Sequence, residues 1–161
     1  MAFAKTSKAA SRLSEQVRNK TFKKQYLVIC DGRFKNNKGV LESYLLKNQV
    51  KNISKIVNEG TKNAKYANLE YEVIKYCKDT DLSVLIVRLN TGRHHQIRVQ
   101  LSNINHSIYG DQKYGARGAG KQIALWAYIL SIKHPITQEI LTFKSIPKIN
   151  GSWKILEGID I

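Results

Sequence analysis

The sequence predicts a single α+β domain whose flanking helices pack on a mixed, mostly antiparallel sheet. Three observations lead there. Short runs rich in apolar and β-branched residues recur, each closed by a turn signal: QYLVIC before Asp31-Gly32, LSVLIVRL before Asn90-Thr91-Gly92, and IALWAYILSI before His134-Pro135. Two of these runs stand beside a second strand-like run across a short turn, as in a hairpin. Helical spacing, by contrast, appears only near the start and once in the middle. A chain of 161 residues can bury roughly two-thirds of its unfolded surface around one core, and the sequence holds no repeat, linker or low-complexity stretch.

Taken in order, the opening residues predict a helix that packs on the core. Thr6 or Ser7 caps it, and Ala9, Ala10, Leu13 and Val17 recur at helical spacing. The same stretch is poor in acids and rich in Ser and basic residues, as an organelle transit peptide would be, but the helix reading is preferred. Residues 25–30 form the first strand. RFKNNKG (33–39) is polar and basic and reads as a loop, while 40–57 shows no clean period and its structure is left open. Residues 59–65 read as a surface connection. Residues 67–77 and 82–89 then make a hairpin around Asp79-Thr80-Asp81. From about His94 the period changes to helical, with Ile97, Leu101 and Ile104 on one face and a stop at Asn105, a residue type that tolerates the left-handed conformation. Residues 106–121 hold four glycines and four basic residues and predict a loop or short strand with a mobile basic tip. A closing hairpin follows, 123–132 with 139–145.

Charge is the unusual part of the composition. Lys and Arg number 27 against 12 acids, a formal net charge of +15. That predicts a polyanionic partner, nucleic acid ahead of an anionic membrane surface. Membrane binding lacks an amphipathic helix with large apolar side chains on one face, and no apolar run approaches spanning length. Cys30 and Cys77 lack the spacing of a metal knuckle or redox pair, which makes a reducing cytoplasm the default.

TGRHHQIRVQL (91–101) concentrates two arginines, two histidines and a glutamine at a strand-to-helix turn. Arginine cannot shed its charge, so Arg93 and Arg98 need an anion or open solvent. The helix N-terminus with its added donors can form a phosphate or carboxylate site, and a solvated helix face with an incidental His pair is an equal alternative. A metal site is disfavoured: His94, His95, His106 and His134 have no acid at ligand spacing, and adjacent ring pairs diverge on a helix. No Ser or Cys stands beside a His in a nucleophilic arrangement.

TGRHHQIRVQL followed by INHSIYGDQKYG resembles the signature of the RluA-type pseudouridine synthases. There Thr-Gly-Arg, one variable residue and His-Gln-Ile-Arg lead into a Gly-Asp-x-x-Tyr-Gly loop. The matching residues are Thr91, Gly92, Arg93, His95, Gln96, Ile97, Arg98, Gly110, Asp111, Tyr114 and Gly115. AFAKTSKAASRLSEQ, KKQYLVICDG and LWAYILSIKHPITQEILTFKSIP are similar to the family's helix, following strand and closing hairpin, leaving 40–64 the least distinctive part. The resemblance implies isomerisation of uridine to pseudouridine in ribosomal or transfer RNA, without a cofactor, through an ionised aspartate. It also implies that the base leaves its stack.

The resemblance assigns roles residue by residue. Tyr26 takes the place of the active-site tyrosine that stacks on uracil, with Lys23 and Lys24 along a phosphate-facing edge. Arg98 matches the arginine that pairs with the catalytic aspartate. Arg93 and His95 brace the turn or contact RNA, and Gly110 and Asp111 shape the loop. Lys113, Arg117 and Lys121 are candidates for RNA phosphate contacts, with a solvated loop as the equal alternative.

The family's nucleophile lies in a His-Arg-Leu-Asp motif that this sequence lacks. None of Asp31, Asp79, Asp81, Asp111 and Asp160 stands in a similar context. The expectation is therefore an N-terminally incomplete catalytic domain, inactive by itself, in which Arg98 awaits a carboxylate from outside the chain. A sheet lacking strands would self-associate through its open edge. The alternative is a non-catalytic RNA-binding module on the same scaffold.

Overall fold

Leu27, Val28, Ile29 and Cys30 are all fully buried, although successive residues of a strand point to opposite faces. Only a strand covered on both sides and flanked by neighbours can do this. In the computed structural model, which describes residues 2–19, 21–115, 117, 118 and 121–161, that strand lies inside a seven-stranded sheet.

The elements run α1 (Ser7–Arg18), β1 (Lys23–Asp31), β2 (Lys38–Asn48), β3 (Ile53–Val57), β4 (Lys65–Cys77), β5 (Leu82–Leu89), α2 (Gln96–Asn103), β6 (Leu125–Lys133) and β7 (Ile140–Lys144). A 3₁₀ turn (Gly151–Leu156) follows. Strand order is β3-β2-β4-β5-β1-β6-β7, and each neighbouring pair is antiparallel. The α+β expectation holds, with no parallel pair among the named strands. Both expected hairpins form. Residues 40–57, left open by the sequence, supply β2 and β3.

The core centres on β1 and β5, where Val84, Leu85 and Val87 are fully buried. Ile97 and Leu101 of α2 and Leu156 of the 3₁₀ turn join the same cluster. The α2 helix is only eight residues long, too short to be stable alone, so its packing on β2 and β3 holds it. Its buried Gln100 amide donates to the carbonyls of Leu41 and Ala67 and to the Ser43 hydroxyl, fastening the helix to β2 and β4.

Two expectations are corrected. The α1 helix does form behind a Thr6 cap, whose hydroxyl accepts from Ala9 N–H at 3.2 Å, but it is no core helix: none of its residues is buried. Its short alanines bury little, and polar bonds hold it instead. Arg12 donates to Pro135 O at 2.7 Å, and Gln16 donates to Lys133 O while accepting from Lys133 N–H. The α2 helix starts at Gln96, not His94, because His95 takes a left-handed conformation (φ 53°) that no helix continues through. Asn105 ends the segment as expected, at φ 62°. In 106–121, expected as a loop or short strand, an isolated bridge joins Ile108 to Cys30, and the residues around it are fixed to β1 by backbone bonds at Ile29 and Asp31. The mobile tip expected there involves Ala116, Ala119 and Gly120, which lie outside the described residues, as do Met1 and Lys20.

Removing apolar volume should therefore matter in the sheet and not in α1. Leu85→Ala is expected to cost about 2–5 kcal/mol in a urea titration, and Val17→Ala, at a site 54% exposed, no more than about 0.5 kcal/mol.

Candidate active site around Arg98

The turn between β5 and α2 is built from its own polar side chains. Thr91 Oγ1 accepts from Asn68 N–H at 2.9 Å and donates to Gln96 Oε1 at 2.8 Å. That oxygen also takes the Arg93 N–H at 3.0 Å, while the Gln96 amide donates to Asn68 O. Thr91 and buried Gln96 thus strap the turn to β4, and Gln96 also takes up an N–H of the turn ahead of the helix. The Arg93 Nε–H donates to Tyr66 O at 2.8 Å, consistent with a turn brace.

Arg98 projects from α2 onto Asp111. Its Nε–H meets Oδ2 at 2.7 Å and its Nη2–H meets Oδ1 at 2.5 Å, a two-pronged pair with the carboxylate fully buried and the arginine side chain 18% exposed. The expectation that Arg98 has no carboxylate partner within its own chain is thus corrected. Its counter-ion is Asp111, which the sequence reading took only to shape a loop. Asp111 does both, since Oδ1 also accepts the N–H groups of Lys113 and Tyr114 at 2.9 and 3.2 Å. Burial pulls its carboxyl pKa up, but the Arg98 hydrogen bonds, those two N–H groups and the Arg98 charge outweigh burial and hold it below the ordinary value.

Two glycines make this loop feasible. Gly110 has φ 78°, and a Cβ there would sit 2.6 Å from Gln122 O; at Gly115 one would sit 2.6 Å from Ser107 Cβ. Between them Tyr114 lays its ring under Arg98, 5.0 Å from Cζ to the centroid. Its hydroxyl accepts Ser54 N–H at 2.5 Å and lies 3.1 Å from His95 Nδ1. His95 Nε2 is 3.0 Å from Arg98 Nη1. His94 stacks on His95 at 3.8 Å and reaches Ser54 Oγ and Asn52. Burial, then the Arg98 charge and His94, push the His95 pKa down to about 4, so it is neutral at physiological pH.

The other expected residues scatter around this centre. Lys23 and Lys24 line a cleft with Phe22, Arg88, Thr91 and Gly92, which brings the basic edge of β1 beside the TGR turn. Tyr26 is half-buried on β1 opposite Val87 and Ala127, and burial raises its phenol pKa. No hydrogen bond joins it to Arg98 among the described residues. Lys113 donates to Asn52 O at 3.1 Å on the other side of the turn. Arg117, its side chain 45% exposed, also reaches inward, to Thr80 O at 2.8 Å, Asp81 O, and the carboxylates of Asp31 and Asp81 at 3.5 and 3.6 Å. Lys121 is exposed beside the 3₁₀ turn, in a pocket with Tyr109 and Trp153. Sequence reading missed Tyr114 and Ser54 as supports. The first lay within the quoted motif without a role; the second lies where the sequence has no period. No group of three metal-ligating side chains occurs among the described residues.

Comparison with known proteins adds an independent line. The family model described as RNA pseudouridylate synthase matches residues 1–103. An uncharacterized RNA pseudouridine synthase of Helicobacter pylori is 32% identical over 161 residues, covering 97% of this chain and 49% of that protein. The dual-specificity RNA pseudouridine synthase RluA of Escherichia coli K12 is 34% identical over 143 residues, covering 86% of this chain and 64% of the relative. The chain thus spans about half to two-thirds of these relatives. Among solved structures, human RNA pseudouridylate synthase domain containing 1 aligns with a TM-score of 0.75 at 22% identity, over 93% of this chain and 64% of the human one, and so shares the fold.

Two outcomes follow for stability. Asp111→Asn strips the counter-ion from a mostly buried guanidinium and is expected to cost about 2–3 kcal/mol in denaturant unfolding at pH 7. The folded pKa of His95 lies below its ordinary 6.5, so between there and about 4 the unfolded chain binds more protons. Stability should fall as pH drops through that window. His95→Gln, which cannot titrate, should flatten the slope of stability against pH.

Proposed function

The chain belongs to the RNA pseudouridylate synthase family, and on that premise we propose that it forms the uridine-binding part of an enzyme that isomerises uridine to pseudouridine in RNA. The observation that carries this reading is the Arg98–Asp111 pair. It joins the two halves of the family-like signature, Thr91–Arg98 and Gly110–Gly115, although only the first lies within the matched residues. A guanidinium fixed so firmly is a preset electrostatic group, and reactions without redox or group transfer depend on such positioning.

In this reading Arg98 presents its unspent N–H groups to the reacting carboxylate, and Tyr26 offers its ring to the uracil. Lys23 and Lys24, with Arg93, Lys113 and Lys121, attract the RNA backbone. Arg117 is not counted among them, because its charge serves the 80–81 turn. The nucleophile comes from outside these 161 residues. Asp111 is committed to Arg98, Asp31 and Asp81 bracket Arg117, and no aspartate stands in a His-Arg-Leu-Asp context. Self-association would run through β7, an end strand of the sheet whose Ile140 and Phe143 are exposed.

The test is RNA binding and conversion by the 161-residue chain. Binding to a uridine-containing single strand should weaken with salt, and Lys23→Ala or Lys24→Ala should each reduce the log–log slope by about 0.7. No pseudouridine should form. Salt-independent or absent binding would overturn the RNA reading, and pseudouridine from this chain alone would overturn the external nucleophile.

A further inference from the structure

We infer that Asp111, His95 and Tyr114 are positioning residues that fix Arg98, with His95 held as the neutral Nδ1–H tautomer. The inference rests on the reading of Arg98 as a group facing the reacting uridine.

The tautomer follows from donor and acceptor counting. Arginine has five N–H donors and no acceptor, so at 3.0 Å from Nη1 the His95 Nε2 must accept. A neutral ring then carries its proton on Nδ1, which lies 3.1 Å from the Tyr114 hydroxyl and donates to it. Ser54 N–H donates to the same oxygen at 2.5 Å, so both lone pairs are filled and the phenolic hydrogen stays free. The order is Arg98 to His95 to Tyr114, with Tyr114 anchored on the backbone of β3. Were His95 protonated, Nε2–H would face Nη1–H and push Arg98 away.

The geometry around Arg98 closes on three sides. Asp111 takes Nε and one hydrogen of Nη2, and the carboxylate is itself pinned by two backbone N–H groups. His95 takes one hydrogen of Nη1, and the Tyr114 ring lies against the guanidinium plane. Three of five N–H groups are spent. The two left over, one on each Nη, are held in a fixed direction by these three residues. The left-handed backbone of His95 fits this role: a bend that most side chains resist is what lets one ring meet Arg98 and Tyr114 together.

The experiment is nitrogen NMR on the isotopically labelled 161-residue chain. At pH 7 His95 should show a protonated Nδ1 and a bare Nε2. Exchange of the Arg98 Nε–H with solvent should be slow, faster by about tenfold in His95→Ala, and slow again in His95→Gln, whose amide copies the acceptor and donor of the neutral ring. A His95 proton on Nε2, or exchange indifferent to His95→Ala, overturns the inference. Should His95→Ala fail to fold, Tyr114→Phe removes only the hydroxyl; faster exchange supports the chain of bonds and unchanged exchange overturns it. Adding a uridine-containing oligoribonucleotide should shift the Arg98 signals. If the bonds are read as described but RNA leaves Arg98 unmoved, it is the substrate-facing reading that fails, and the positioning role with it, while the tautomer stands.

Discussion

A guanidinium that cannot lose its proton has been taken largely out of water, and the arrangement of residues around α2 answers that charge. The Asp111 carboxylate would be costly to bury alone, and so would Arg98. Paired through two hydrogen bonds and supported by the Lys113 and Tyr114 N–H groups, they hold the 110–115 loop to the helix. Since Tyr109, just ahead of that loop, is bonded to β1 at Ile29, the pair transmits the position of the central strand to the turn after β5. Replacing it with apolar residues could be neutral or better for stability. The pair is better understood as placement of a charge than as a source of free energy.

The same logic explains why so short a helix is braced by so many amides. The buried side chains of Gln96 and Gln100 each reach back to β4, and Gln100 to β2 as well. Hydrogen bonds of this kind add little net stability, but they fix register, and here they fix the direction in which Arg98 leaves the helix. The sheet supplies rigidity and the glutamines transfer it to one side chain.

Much of this was legible in the sequence where a local rule controls structure. The hairpin across Asp79–Asp81, the stop at Asn105 and the Thr6 cap all depend on near neighbours, and all were readable. What was not legible depends on distant partners. Residues 40–57 look aperiodic because β2 alternates only partly between buried and exposed, with its tyrosine, Tyr44, bonded to the Glu59 carboxylate on the surface. The α1 helix reads as a core helix from its spacing, yet alanines cannot say whether a surface awaits them. The Arg98 partner stands thirteen residues away in a loop, and spacing along the chain does not reveal that Gly110 turns Asp111 inward. The charge on Arg117 was visible, its destination in the 80–81 turn was not.

The division of labour between the two cations carries the argument one step further. Six of the seven arginines are engaged within the fold: Arg12 on Pro135 O, Arg33 over Tyr76, Arg88 on Glu72, Arg93 on Tyr66 O, Arg98 on Asp111 and Arg117 on the 80–81 turn. A planar fork suits such fixed contacts, whereas the lysine ammonium is a hydrated point charge on a flexible stem. The net charge of +15 therefore acts outward mainly through lysines. A field spread over mobile point charges attracts a polyanion without dictating how it lies, so on the function proposed above any selectivity for one site has to come from the rigid part. The rigid part is the turn from Thr91 to Arg98 with the loop that clasps it.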